Sequence, residues 1–366
     1  MTAHLDEDRS PLVVHVIPSP RGRGAQRAAR SLVDRLDEPG KVRHRLLGLF
    51  DGPPEVELDL DMGFAAGRHT AEGFQPRVAL RLRHVLARLG PAAVVAHGGD
   101  AMKYVLPGVI GTGRPLAYYV IGTYTGRPTL LHQWLWRRIM AQANLVVAVG
   151  NEVLDECTGQ FQVAPQRAVV IPNGRDPEEF HPRASWDDSN EPTLIFVGAL
   201  TVQKQPNRFI EVVRHLRAAG HQFRAVIVGD GPLAENLAPF AATHGVEFLG
   251  PRSDVPDLLR SSEIFVFTSL PTGEGMPGVL IEAGLSGLPA VSTPVPGADT
   301  VVNDGTTGVI VDYSVSSMVS AVGGLLESHS VRVAMGKSAR ARCESQFNLD
   351  LMAQRWRTAL HSMMGT

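Results

Sequence analysis

Short apolar runs bounded by glycine and proline alternate along this chain with longer amphipathic stretches, which is the pattern of parallel strand–helix–strand units. The alternation occurs twice. In the first half the predicted strands are LVVHVI (Leu12 to Ile17), AAVVA (Ala92 to Ala96), LAYYVI (Leu116 to Ile121) and LVVAVG (Leu145 to Gly150), with helical stretches such as AQRAARSLVDRL between them. EVELDLDMGF alternates instead, as a strand with its polar residues outward does. In the second half TLIFVG, RAVIVG, VEFLG and IFVFTS play the same part, and the helix NRFIEVVRHLRAAG ends on a glycine suited to a C-cap. Between the halves, Arg175 to Pro192 is rich in Pro, Asn, Asp and Ser and poor in apolar residues, so it reads as a linker. LDLMAQRWRTALHSMM follows the second half as an amphipathic helix able to return to the first. The expected organisation is a loose tail over 1–10, a domain over 11–174, the linker over 175–192, a second domain over 193–345 and a C-terminal helix over 346–366.

Composition narrows the partners. A chain of 366 residues with 44% hydrophobic content favours two domains. With 35 basic and 37 acidic residues interspersed, it carries no nucleic-acid footprint, which leaves a small molecule or a glycan-like acceptor. Cys157 and Cys343 lie far apart with no C-x-x-C, against both a zinc site and a disulfide framework. The N-terminus lacks the basic and apolar regions of a signal peptide, and no run of eighteen apolar residues occurs. A cytoplasmic location is expected.

The chemistry concentrates in IFVFTSLPTGEGMPGVLIEAGLSG, where a strand runs into a Gly/Pro loop and then a helix, with Pro277 at a first helical position. Free N–H groups at such a helix start suit a diphosphate. Glu274 stays in the loop, while Glu282 lies five residues beyond Pro277, about 7.5 Å along a helix axis. That separation lets one acid reach hydroxyls on each side of a diphosphate without neutralising it. The spacing equally fits a helix cap and a solvated helix face. Lys204, one of only four lysines beside 31 arginines, falls in the loop after TLIFVG, either facing phosphates or as an exposed lysine opening a helix. Gly24, in RGRGAQ, either lets the backbone approach a ligand or simply turns strand into helix, with Arg21 and Arg23 beside it.

The two glutamates with seven residues between them resemble the motif of the family 4 retaining glycosyltransferases, which have the GT-B fold of two Rossmann-like domains facing a central cleft. The resemblance covers nearly the whole chain: VVHVIPSPRGRGAQRAARSLVDRL, VVAVGNEVLDE, VVIPNGRDPEEFHP, FVGALTVQKQPNRFI, IVGDGPLAENLAPFA, VEFLGPRSDVPDLLRSSEIFVFTS and NDGTTGVIVD follow in the family's order. It implies a nucleotide-sugar donor, UDP- or GDP-linked, a hydroxyl acceptor (glycan, lipid-linked sugar or small molecule), and no metal or other cofactor. Carried over residue by residue, Glu274 holds the sugar hydroxyls, Glu282 the ribose and Lys204 the diphosphate. The backbone of Gly275, Met276, Pro277, Gly278 and Val279 holds phosphates and sugar, and Gly24 meets the donor phosphates or the acceptor.

Two positions depart from the family pattern. Ala199 stands where an arginine usually joins the lysine, so Arg175, Arg252 or Arg127 is expected to supply the second cation. Ile121 stands where a histidine usually lies near the sugar; in retaining members the leaving diphosphate takes the acceptor's proton. His97, ending VVAH at a strand's carboxyl edge, is the nearest replacement and is expected to orient the acceptor, with Asp100 and Tyr124 similarly placed; it reads equally as a hydrogen-bonded loop histidine. Asp59-Leu60-Asp61 spells a metal-binding D-x-D but lies in the outward-polar strand, which discounts it. LLHQWLWRRIMAQA reads as core packing with a basic rim or as a peripheral membrane contact. The rival readings are a nucleotide-sugar-binding protein with weak catalysis and, using the two acids, a glycoside hydrolase.

Overall fold

The computed structural model describes residues 10–22, 24–38, 40–65, 73–123, 129–185 and 191–365. The chain divides into two units, one of Met1–Asn173 with Leu349–Thr366, the other of Gly174–Asn348.

Among the described residues the first unit has seven parallel strands: β1 (Leu12–Ile17), β2 (Arg43–Phe50), β3 (Leu60–Phe64), β4 (Ala93–His97), β5 (Leu116–Val120), β6 (Leu145–Ala148) and β7 (Ala168–Val170). Their order in the sheet is β3-β2-β1-β4-β5-β6-β7, which reverses direction between β1 and β4. Open α/β sheets bind ligands outside the carboxyl ends of the strands at that reversal. Val13, Val14, Val16, Leu46, Leu47, Val94 and Val95 are fully buried, as expected of strands covered on both faces. The helix Leu349–Met364 returns to cover this sheet. It lies beside the helix Gly24–Leu36, where Arg357 Nη2 donates to Arg35 O at 2.6 Å, and buries Trp356 completely.

Among its described residues the second unit has six parallel strands, β8 (Thr193–Val197), β9 (Arg224–Val228), β10 (Glu247–Gly250), β11 (Ile264–Phe267), β12 (Ala290–Ser292) and β13 (Gly308–Ile310), ordered β10-β9-β8-β11-β12-β13. The reversal falls between β8 and β11. Leu194, Phe196, Phe209, Val213, Val266 and Val322 form its core.

Two sequence expectations need correction, and one strand has no counterpart among them. The stretch Arg175 to Pro192 is not a free linker over its described residues. Arg175 N donates to Phe347 O at 2.9 Å, Arg340 Nη1 to Phe180 O at 2.7 Å, and Arg183 pairs with Glu263 at 2.6 Å, so this segment belongs to the second unit, which runs on to Asn348. Polar composition misled because arginines inside the unit, with the single buried Phe180, fasten the segment. The strand β2 was missed because Arg43, His44 and Arg45 open it, although everything from Leu46 onward is buried. Pro277 caps the helix Gly278–Leu285 from outside rather than opening it. Residues 1–9 of the expected tail, Arg23, Tyr124 and Arg127 lie outside the described residues.

Candidate functional site

In the second unit the strand β11 delivers the chain to a loop that ends at Pro277, and the helix Gly278–Leu285 begins there with no side-chain cap on its first N–H groups. The loop is held from two sides. Gln203 Nε2 donates to Thr272 O at 2.6 Å, and Leu270 N donates to Gln203 O at 2.8 Å, laying the Lys204 loop against the Glu274 loop. On the other side Gly297, at φ +74°, allows its turn to meet the backbone of Gly275 and Met276, an approach that any Cβ would block.

Both glutamates carry a cation. Lys204 Nζ bonds Glu274 Oε1, and the ammonium also lies 5.3 Å from the Phe267 ring centroid. Arg175 Nε donates to Glu282 Oε1 at 2.6 Å, and its guanidinium lies over Gly278, where a side chain would displace it. Glu274 is 7% exposed, so its charge is sustained by Lys204 rather than by water. Two charge pairs therefore flank one uncapped helix start. The arrangement can accept an anion at the backbone, with a cation and a carboxylate on either side of it.

In the first unit His97 ends β4 and is 5% exposed. Its Nε2 lies 2.9 Å from His15 Nδ1, and His15 Nε2 lies 2.9 Å from His44 Nδ1. Burial pushes His97 and His44 down to about 4 and His15 well below the ordinary histidine value; the neighbouring imidazoles and Arg30 lower His15 further, while Asp37 partly opposes the shift at His44. Ile121 lays its Cδ1 over Gly98, the residue that follows His97.

The structure thus brings together Lys204, Glu274, Gly275, Met276, Pro277, Gly278, Val279 and Glu282. Gly24 opens the helix Gly24–Leu36 and is exposed. Asp100 is paired with Lys103 at 2.7 Å, and Arg252 with Asp254 at 2.5 Å, away from this cluster's bonding. Asp59 bonds Arg30 and the backbone N–H of Leu46, and Asp61 bonds the N–H of Gly63, so both D-x-D carboxylates shape the edge of the sheet. Of the two described arginines expected as second cation, Arg175 lies at the helix start and Arg252 does not; Arg127 lies outside the described residues. Sequence reasoning missed Glu55, whose carboxylate takes the N–H of Gly22 at 2.8 Å in the glycine loop, and missed His15 and His44 altogether. Histidines inside apolar runs, as in LVVHVI, were the available signal. Both thiols are free and buried, and burial raises each to about 12. The helix Leu130–Ala141 buries Trp136 and Met140 but leaves Leu130, Leu131, Trp134 and Leu135 exposed. Among the described residues no helix is long and apolar enough to cross a membrane.

A family model described as Glycosyl transferases group 1 matches residues 191–328, and one described as Glycosyltransferase Family 4 matches residues 22–179. The chain is 28% identical over 237 residues to the UDP-Gal:alpha-D-GlcNAc-diphosphoundecaprenol alpha-1,3-galactosyltransferase of Escherichia coli, covering 60% of each chain. It is 30% identical over 197 residues, half of each chain, to the putative glycosyltransferase EpsF of Bacillus subtilis. The match therefore spans between half and three fifths of the length of these two relatives. Alpha-D-kanosaminyltransferase of Streptomyces kanamyceticus is 24% identical over 87% of this chain and 95% of its own. Among solved structures, Anabaena HepE in complex with UDP and glucose superposes with a TM-score of 0.78 at 18% identity, over 96% of this chain and 99% of its own. Sucrose-phosphate synthase of Thermosynechococcus elongatus gives 0.79 at 15% identity, over 97% and 99%.

Proposed function

Since the chain belongs to the family 4, group 1 glycosyltransferases and has their GT-B fold of two Rossmann-like domains, we propose that it transfers a sugar from a UDP- or GDP-sugar to a hydroxyl acceptor with retention of configuration. The observation that carries this reading is the pair of ion pairs around one helix start, Lys204 with Glu274 and Arg175 with Glu282. On donor binding each pair exchanges partners. The cations turn to the diphosphate, Glu274 accepts from sugar hydroxyls and Glu282 from the ribose, while Gly278 and Val279 offer their N–H groups to phosphate oxygens. Each carboxylate trades one charge-assisted bond for another, so binding leaves no buried charge bare.

Lys204 and Arg175 then neutralise the diphosphate as the bond to the sugar carbon breaks and the acceptor oxygen bonds to the same face. With two cations supplied by the protein, no metal is required, and turnover is expected to survive a chelator. The acceptor is a glycan, a lipid-linked sugar or a small molecule; the exposed apolar crest from Leu130 to Leu135 supports contact with a lipid-bearing one.

Calorimetry with free nucleoside diphosphate and intact donor tests the division of labour. Glu282→Gln is expected to weaken both by similar amounts, on the order of 10- to 100-fold for one lost charge-assisted bond. Glu274→Gln releases Lys204, so free nucleoside diphosphate should bind as well as before or slightly better while donor affinity or turnover falls. Equal losses of nucleoside diphosphate binding in the two variants sink the assignment.

A further inference from the structure

His44, His15 and His97 stand on the adjacent strands β2, β1 and β4 at strand levels two residues apart, because Val13 is level with His44 and Val16 with Ala96. Side chains two residues apart share a sheet face. The three rings therefore form one diagonal from the amino end of β2 to the carboxyl end of β4, rising about 13 Å at about 3.3 Å per residue. Trp356 seals it from above, its ring stacked on His97 at 6.4 Å and edge-on to His15 at 6.5 Å. At the lower end His44 lines a cavity of about 240 Å³ with Glu38, Lys41, Arg357 and His361. The groups facing the chain are Arg30 beside His15, Asp37, Glu38, Arg45 and Arg357 around His44, and the rings of Tyr119 and Trp356 at His97.

A neutral imidazole has one N–H and one lone pair. His15 must therefore donate through one nitrogen and accept through the other, and the direction of its two bonds fixes both neighbours. Either all three rings carry hydrogen on Nδ1 or all three carry it on Nε2. We propose that these histidines form a proton relay across the first sheet, taking up a proton at His97 Nδ1 on the carboxyl edge and releasing one from His44 Nε2 into the cavity. Starting with every hydrogen on Nε2, a proton arrives at His97 Nδ1, His97 Nε2–H passes to His15 Nδ1, His15 Nε2–H passes to His44 Nδ1, and His44 Nε2–H leaves to water. All rings end neutral with hydrogen on Nδ1. Once product has left and water reaches His97, the same hops run backward and reset the chain.

The proton it serves is that of an acceptor hydroxyl bound at the carboxyl edge of the first sheet, where such sheets take ligands; to that extent the relay rests on the glycosyl-transfer reading. Two measurements separate the two. Histidine ¹⁵N spectra of the ligand-free protein need no activity: the three rings should be neutral at neutral pH and share one tautomer fraction. A mixed set, with His97 on Nδ1 and His44 on Nε2, breaks the chain and overturns the relay whatever the enzyme transfers. In turnover, His44→Ala should lower kcat on the order of 10- to 100-fold, within reach of a positioned proton-transfer group, with donor KM unchanged. Added imidazole should restore kcat, while 1-methylimidazole, which fills the same space but cannot both accept and donate, should not. Equal restoration by the two, or an unchanged kcat, assigns His44 to packing alone.

Discussion

At the carboxyl edge of β11, polar side chains are kept charged and matched in pairs; at the carboxyl edge of β4, they are kept neutral and matched in a chain. The side chains of Lys204, Glu274, Arg175 and Glu282 remain in contact with some water, between 9% and 24% exposed, so ions survive there once partnered. His15 and His97 are packed under Trp356 and His44 is buried beside a cavity, and burial removes their charge at neutral pH. The difference teaches what each edge can do. Ions exchange partners when a charged ligand arrives, whereas a neutral imidazole chain offers that ligand little and can only pass or orient hydrogen.

The largest effect expected from breaking this contrast is at Lys204. Lys204→Ala should reduce turnover by about 10²- to 10³-fold, as loss of a transition-state charge partner does. It should also destabilise the second unit, because the buried Glu274 loses the ammonium that faces it. The double variant Lys204→Met/Glu274→Gln should recover most of that stability in urea unfolding and none of the turnover. Recovery of turnover in the double variant would mean that Lys204 serves only to hold Glu274.

The imidazole chain predicts a smaller effect that depends on pH. His44 and His97 fall from an ordinary 6.5 to about 4 on folding, so between those values the unfolded chain binds protons that the folded one does not. Stability conferred by the neutral rings is full above pH 6.5 and declines as pH falls toward 4, by about 1.4 kcal/mol per pH unit for each histidine. Unfolding followed by calorimetry at neutral pH and near pH 5 should show this loss, with the first unit melting before the second. A transition indifferent to pH across that range would place charge on rings that the structure keeps neutral.

The same contrast explains how much was legible in the sequence. Both Rossmann-like units were readable because continuous apolar runs such as LVVHVI and IFVFTS have few other uses, and the charged site was readable because Glu274, Glu282 and Lys204 sit in motifs with a fixed local spacing. Arg175 was only one of three possible cations, since its bond to Glu282 joins positions 107 residues apart. The histidine chain was invisible for a related reason. Its members come from three strands whose register, Val13 with His44 and Val16 with Ala96, no local pattern encodes, and one of those strands was itself hidden by Arg43, His44 and Arg45. Local chemistry is written along the chain; bonds between distant segments arise only when the sheet forms.

The smallest effect is the most discriminating. If Arg175 supplies the cation missing at Ala199, the two positions are alternatives for one task and their effects must not add. Arg175→Ala should weaken nucleoside diphosphate binding about tenfold, the loss of one charge-assisted contact. Ala199→Arg in the otherwise unchanged protein should tighten it only about two- to fivefold, since Ala199 is exposed and a surface charge is worth at most about 1 kcal/mol. Introduced into Arg175→Ala, the same Ala199→Arg should restore most of the lost affinity, a larger gain than in the parent. Calorimetry of the four proteins closes the cycle. Equal gains in the two backgrounds would show that Arg175 acts on Glu282 alone and that the diphosphate is met by Lys204 and the backbone of Gly278 and Val279.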